Sequence, residues 1–277
     1  MIKELIEKSP NEYLDLFLDQ YSKVRDFDKE KAKDIIKETK KFYKGDLNEG
    51  YAKQLEDRWY LSLDKNQPDY GVYSDKYYFT DIWCCWQMYS RNYVLTLKKS
   101  ILKNNDKKLF DYLNNVNTII DLGCGLGFTT ALLSKLFPNA KVFGTNIKGT
   151  DQYKFCEQLS KSFNFKMIEE NNMPKNIDLV FASEYFEHIE DVEQNIQKII
   201  YEHKPKYLYL ANSFNTRSVG HFTKYKFKGE ESEVITDQKD ISRSFNNLLR
   251  CWGYKDVKLN NWNNKPRLWE MHNEQKN

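Results

Sequence analysis

Two short passages in this 277-residue chain carry side chains that could do chemistry. The first, Asp121-Leu122-Gly123-Cys124-Gly125-Leu126-Gly127, is an acid followed by alternating glycines. Glycines so spaced let the backbone take left-handed dihedrals and let a ligand approach it closely. A helix starting just beyond them would add free N–H groups and the positive end of its dipole. The second passage, Ser183-Glu184-Tyr185-Phe186-Glu187-His188, holds two carboxylates and an imidazole. His188 has a reference pKa of ~6.5 and suits a general base near neutral pH. Capping or packing the helix that follows is an equal use of the same residue.

Several chemistries are excluded by the same spacing. A dinucleotide turn wants a third glycine where Phe128 stands, and the Lys-Ser/Thr of a phosphate-binding loop is absent. The five cysteines, at 84, 85, 124, 156 and 251, show no C-x-x-C spacing. No dense run of His and Asp appears, so no metal ion is expected.

The elements around these passages read as alternating strands and helices. Thr118 to Leu122 is a short apolar β-branched run, and Phe128 to Phe137 has helical periodicity. Lys141–Ile147, Phe165–Glu170, Ile177–Ser183 and Lys206–Asn212 read as further strands, Ile177–Ser183 as a buried one of the parallel kind. Ile241 to Tyr254 reads as a helix closed at Gly253, and two strands around Asn263-Asn264-Lys265-Pro266 end the pattern. Residues 1–115 read as helices, with 29–44 strongly charged and solvent-facing. An aromatic-rich helix follows, containing Trp83, Trp86, Tyr89 and Tyr93.

Asp121-x-Gly123-x-Gly125-x-Gly127 resembles the first motif of class I S-adenosylmethionine-dependent methyltransferases. Ser183-Glu184, running into Phe186-Glu187-His188, resembles the fourth motif of the subfamily that methylates small molecules. The two lie about 60 residues apart with two strand-like segments between them. The resemblance covers roughly residues 80–272 and implies a doubly wound, Rossmann-like α/β sheet of seven strands. Residues 1–75 would then be a helical extension, and 76–277 the methyltransferase domain with a covering helix at 76–104.

It also implies S-adenosylmethionine as cofactor and methyl transfer to an O, N or C nucleophile. Gly123, Cys124, Gly125 and Gly127 would pass beneath the methionine part, and Asp121 would support its amino group. Asn146, beside Ile147, stands where the family carries an acid for the ribose hydroxyls; nearby Asp151 is the alternative. Asn172 would meet the adenine, and Ser183 would border the cofactor at the end of the fourth strand. Tyr89 and Arg91 on the covering helix would approach its carboxylate, Arg91 as a bidentate donor. Glu187 and His188 would border the transferred methyl, with Glu184, Asn212 and His221 on the acceptor side.

Charge and hydropathy bound the partners. The net charge is +3 and 40% of residues are hydrophobic, so the chain as a whole is no obvious polyanion binder. No apolar run approaches the ~20 residues of a membrane span, and the N-terminus lacks a signal-peptide core. A cytoplasmic protein with reduced thiols and a small-molecule acceptor is expected. From Lys204 to Gly229, six Lys or Arg and no Asp or Glu occur in a long connection over 212–240, interleaved with aromatics. That run keeps nucleic acid as a second kind of acceptor. Asn146 keeps open a third reading, a non-catalytic binding subunit. Nucleic-acid amino methylation is disfavoured by Ser183-Glu184-Tyr185-Phe186 in place of Asp/Asn-Pro-Pro-Tyr.

Overall fold

The computed structural model describes residues 2–7, 10–103, 114–228, 233–259 and 266–272. Its N-terminal helices are α1 (Leu14–Tyr21), α2 (Lys29–Tyr43) and α3 (Tyr51–Asp64). They are followed by α4 (Phe79–Cys85), a single π turn over Trp86–Ser90, and α5 (Arg91–Lys103). Asp28 caps α2 by accepting the Glu30 and Lys31 N–H groups at 3.0 and 3.1 Å. The solvent-facing assignment of α2 is corrected: Ala32, Ile35, Ile36 and Thr39 are buried. Their spacing is an apolar stripe hidden among lysines and glutamates. Phe17 and Tyr21 of α1 stack on Trp83 (4.1 Å between centroids) and Phe79 (4.4 Å), and Phe17 also meets Phe155 at 5.6 Å. The core of the extension is thus continuous with the core of the rest of the chain.

Beyond it come β1 (Thr118–Leu122), α6 (Phe128–Leu136), β2 (Lys141–Thr145), α7 (Asp151–Ser160) and β3 (Phe165–Ile168). Next are β4 (Leu179–Ser183), α8 (Val192–His203), β5 (Tyr207–Ala211), and a separate ribbon of β6 (Lys224–Lys228) and β7 (Glu233–Asp237). Then α9 (Gln238–Cys251), β8 (Tyr254–Val257) and β9 (Arg267–Met271) close the chain. The main sheet runs β3-β2-β1-β4-β5-β9-β8, with β1 to β5 parallel and β9 antiparallel to both neighbours. This is the expected α/β fold. β1, β4 and β5 are buried along nearly their whole length and, Asp121 apart, apolar at their buried positions, because helices cover both sheet faces.

Chain order reverses at β1, which lies between β2 and β4. Loops leaving the carboxyl ends there diverge and open a crevice. The register pairs Asp121 with Gly144 and Phe181, and Leu122 with Ala182. The glycine turn and the Ser183-Glu184 passage therefore leave the sheet side by side.

A further expectation is corrected. The connection over 212–240 is no open loop, since it contains the β6–β7 ribbon; Lys224-Tyr225-Lys226-Phe227 alternates as a strand does. Tyr225 turns inward and is fully buried. His203, at the end of α8, is buried with Nδ1 2.8 Å from the Pro174 carbonyl. The Asn263–Pro266 turn lies mostly outside the described residues.

Candidate functional site

A cavity of about 1120 Å³ opens at the carboxyl ends of β1 and β4. Ligand pockets usually measure ~300–1,000 Å³, so it has room for two small molecules side by side. One end is the glycine turn. Gly123, Gly125 and Gly127 all have positive φ (59°, 57° and 81°), a conformation that disfavours any side chain. A Cβ on Gly123 would lie 2.6 Å from the Tyr185 ring, so the close approach there also requires glycine.

The turn is tied from below. Thr145 accepts the Cys124 N–H at 2.9 Å, and the Gly125 carbonyl accepts from Asn146 Nδ2 at 2.7 Å and from Cys156 Sγ at 3.0 Å. Asp121 is buried beneath it. Its Oδ2 accepts the hydroxyls of Thr129 and Thr130, both at 2.6 Å, from the first turn of α6. Burial pushes the Asp121 carboxyl up to about 7, against the opposing pull of those hydroxyls.

The other end gathers His188, Glu184, Glu187 and His221. Glu184 has a φ of 54°, an unusual backbone for a residue with a side chain. Glu187 is fully buried, and its Oε1 accepts the Ser213 N–H at 2.6 Å. Its carboxyl is raised well above the ordinary range by burial and then by the Glu184 charge. The His188 and His221 rings meet edge to face at 4.7 Å. Burial lowers both imidazoles, His221 to about 4, so both are neutral near pH 7. His188 Nδ1 lies 3.0 Å from the Tyr73 hydroxyl, and His221 Nδ1 lies 2.7 Å from the Thr216 carbonyl.

Main-chain bonds deliver His221 to this place. The Phe222 N–H reaches the Glu187 carbonyl at 3.0 Å, and the Lys226 N–H reaches that of Glu190 at 2.9 Å, which hooks the ribbon onto the turn after β4. From the N-terminal extension, Trp59 Nε1 donates to the His221 carbonyl at 2.7 Å. One ligand atom each of Glu184, Glu187 and His221 lies within 4.8 Å of the others.

Most of the residues singled out from the sequence border this cavity. Asp121, Gly123, Cys124, Gly125, Asn146 and Ile147 do so at the glycine end. Tyr89, Ser183, Glu184, His188 and His221 also border it. Five do not. Gly127 turns towards α7, where a Cβ would meet Cys156 Sγ at 3.1 Å. Asn172 is exposed, and Glu170 of the same turn reaches the wall instead. Arg91 misses the wall because on a helix it stands roughly 200° round from Tyr89, while Ser90, Asn92 and Tyr93 border the cavity.

Asn212 is displaced by Ser213, and Glu187 sits behind the wall. Asp151, the alternative to Asn146, is occupied by ion pairs with Arg25 and Lys154. Both polar atoms of Asn146 are already used, Nδ2 on Gly125 and Oδ1 on the Ile147 N–H at 2.8 Å.

Sequence reading missed the contribution of the extension. Tyr43, Tyr70 and Tyr73 of the extension line the cavity, as do Tyr78 and Asp81 just beyond it, the Asp81 carboxyl pushed up to about 6 by burial. Tyr43 donates to Asp81 and lies 2.9 Å from Ser218 Oγ. No spacing in the sequence signals these contacts, which span up to 175 positions.

A family model described as a methyltransferase domain matches residues 113–272, more than half of the chain, and the chain belongs to that family. Among curated proteins, (S)-coclaurine N-methyltransferase of Thalictrum flavum subsp. glaucum is 28% identical over 90 residues. That match takes in 30% of this chain and only 25% of the plant enzyme. Among solved structures, mitomycin 7-O-methyltransferase gives a TM-score of 0.44 at 11% identity, over 70% of this chain and 55% of that one. Magnesium protoporphyrin IX methyltransferase from Synechocystis PCC 6803, solved with bound SAM, gives 0.37 at 13%, over 66% and 83%.

Proposed function

We propose that the protein transfers a methyl group from S-adenosylmethionine to a small-molecule acceptor held beneath the N-terminal extension. The observation that carries this reading is one cavity joining the glycine turn after β1 to the histidine and glutamate cluster after β4. The residues at the glycine end fit the cofactor. Gly123 and Gly125 border the cavity with left-handed backbone that presents no side chain to a ligand, and the buried Asp121 carboxylate suits an ammonium group. A cation beside Asp121 would hold that carboxyl ionised. When bound, S-adenosylmethionine supplies the methyl group as a sulfonium.

The remaining work belongs to the chain. Asp121 orients the amino end, the glycine turn carries the methionine part, and Asn146 with Ile147 borders the ribose. Neutral His188 stands at the acceptor end as a proton acceptor, oriented by Tyr73. Positioning two reactants together can supply ~7–11 kcal/mol of the barrier. The tyrosines of the extension give the acceptor end flat apolar walls with polar tips, which suits an acceptor with an aromatic part. Residues 76–277 would form the catalytic domain and residues 1–75 its lid.

A small molecule is favoured over nucleic acid because the basic run does not form one patch. Lys204 and Lys206 precede β5 at the opposite end of the sheet from the cavity. Arg217 stacks at 3.9 Å over Tyr60 and pairs with Glu56, and Lys226 lies 3.4 Å from Glu190. Among the described residues, no helix is long and apolar enough to cross a membrane.

The test is calorimetric titration of the purified protein with S-adenosylhomocysteine, followed by a screen of aromatic acceptors with methyl-labelled S-adenosylmethionine. Micromolar binding and label transfer are expected. Folded, cofactor-free protein that binds nothing would overturn the reading and leave a non-catalytic subunit.

A further inference from the structure

We infer that Glu184, Glu187 and His221 form a divalent-cation site at the acceptor end of the cavity, where the ion takes an oxygen of the acceptor. Donor atoms held ~2.0–2.4 Å from one ion can be at most about 4–5 Å apart. The three candidate ligand atoms meet that limit, lying within 4.8 Å of one another. They come from the turn after β4 and from the segment just before β6, so the fold itself assembles them.

An independent observation points to a missing partner. Glu187 is fully buried, and only its Oε1 has a donor, the Ser213 N–H. Its Oε2 is buried without a hydrogen-bond partner. No lysine or arginine pairs with Glu187 among the described residues; its carboxyl instead lies within hydrogen-bond reach of another carboxyl, Glu184. Two carboxylates brought together, one of them fully buried, call for a proton or a cation between them.

The histidine is prepared for a cation. His221 Nδ1 faces the Thr216 carbonyl, which can only accept, so Nδ1 carries the hydrogen and Nε2 keeps its lone pair. This is the second hydrogen bond that metal-ligating histidines almost always make. Glu184 is held in a left-handed backbone conformation, an outlier of the kind that persists where surrounding structure demands it.

Two oxygens and one imidazole nitrogen suit Mn²⁺, Fe²⁺ or Zn²⁺. Three protein ligands leave further positions open. Glu184 and His221 border the cavity, so those positions face the acceptor. The inference rests on the methyl-transfer reading and narrows it to acceptors carrying a hydroxyl, which a cation would acidify. His188, its ring 4.7 Å from that of His221, stands beside the site to receive the proton.

The experiment uses the full chain stripped with EDTA and titrated with Mn²⁺, free Mn²⁺ being read by electron paramagnetic resonance without cofactor or acceptor. One saturable Mn²⁺ per chain, displaced by Zn²⁺, is expected. Glu187→Gln should weaken it by more than the ~10–100-fold typical of an outer partner. Glu184→Gln, at a less buried position, should do the same should Glu187→Gln fail to fold. S-adenosylhomocysteine binding checks the fold of each variant. Failure of Mn²⁺ and Zn²⁺ to bind, or equal affinity in a folded variant, would overturn the site and mean that the carboxyls share a proton. S-adenosylhomocysteine binding without metal binding sinks this inference alone; the reverse sinks the methyl-transfer reading alone.

Discussion

At the end of β1, the turn, the buried acid and the helix start all come from one continuous passage, Asp121 to Thr130, braced by β2 and α7. At the end of β4, the corresponding groups come from four places: Glu184 to His188, Ser213 to His221, the β6–β7 ribbon, and the extension with Tyr73 and Trp59. The glycine end is therefore secured by local geometry. The acceptor end exists only once distant segments have docked. A change at one end should leave the other intact.

Glu187→Gln carries the largest expected effect. The amide keeps the shape and an oxygen for the Ser213 N–H, but removes the charge. Methyl transfer should fall by a hundredfold or more, about 2.7 kcal/mol, with S-adenosylhomocysteine affinity unchanged in calorimetry. A parallel loss of cofactor binding would show that the two ends are not separable.

His221 makes the acceptor end sensitive to acid. Its imidazole is held at about 4 when folded, against 6.5 when free. The unfolded chain therefore takes up the proton first as pH falls. Stability from this residue is complete above about pH 6.5 and is lost as pH drops towards 4, with roughly 2 kcal/mol gone by pH 5. Urea unfolding of the wild type and His221→Asn at pH 7.5 and pH 5 should show the wild type losing that much relative to the variant. Equal losses would refute it.

Gly123→Ala should cost about 1–3 kcal/mol, from a left-handed backbone and a Cβ 2.6 Å from Tyr185. It should weaken S-adenosylhomocysteine while sparing Mn²⁺ binding at the other end. Asp121→Asn keeps an oxygen for Thr129 and Thr130 but loses the charge. About tenfold weaker S-adenosylhomocysteine binding is expected, near 1.4 kcal/mol.

Tyr73→Phe is the smallest change. Removing the hydroxyl beside His188 Nδ1 should lower kcat by up to about tenfold, a bond worth ~1 kcal/mol, without moving cofactor affinity. An unaltered kcat would remove Tyr73 from the positioning of His188.

Much of this was legible in the chain itself. The apolar runs of β1, β4 and β5, the glycine turn, and Glu187-His188 after β4 are local signals, because backbone dihedrals and short-range periodicity are written into adjacent residues. The doubly wound sheet followed from them, and so did most of the wall residues at the glycine end. Phase and distance were not legible. Helical phase kept Arg91 off the wall in favour of Ser90 and Asn92, and a one-residue step exchanged Asn212 for Ser213. A lysine-rich helix hid the stripe that buries α2.

Sequence alone determined which chemical groups the protein owns and which strands they follow. Only the tertiary structure brought Glu187 against Glu184 and His221, and Tyr73 against His188 across 115 positions. The physical reason is that such contacts depend on how separate hydrophobic faces dock. No local pattern of residue types encodes the distance between two side chains once those faces have met.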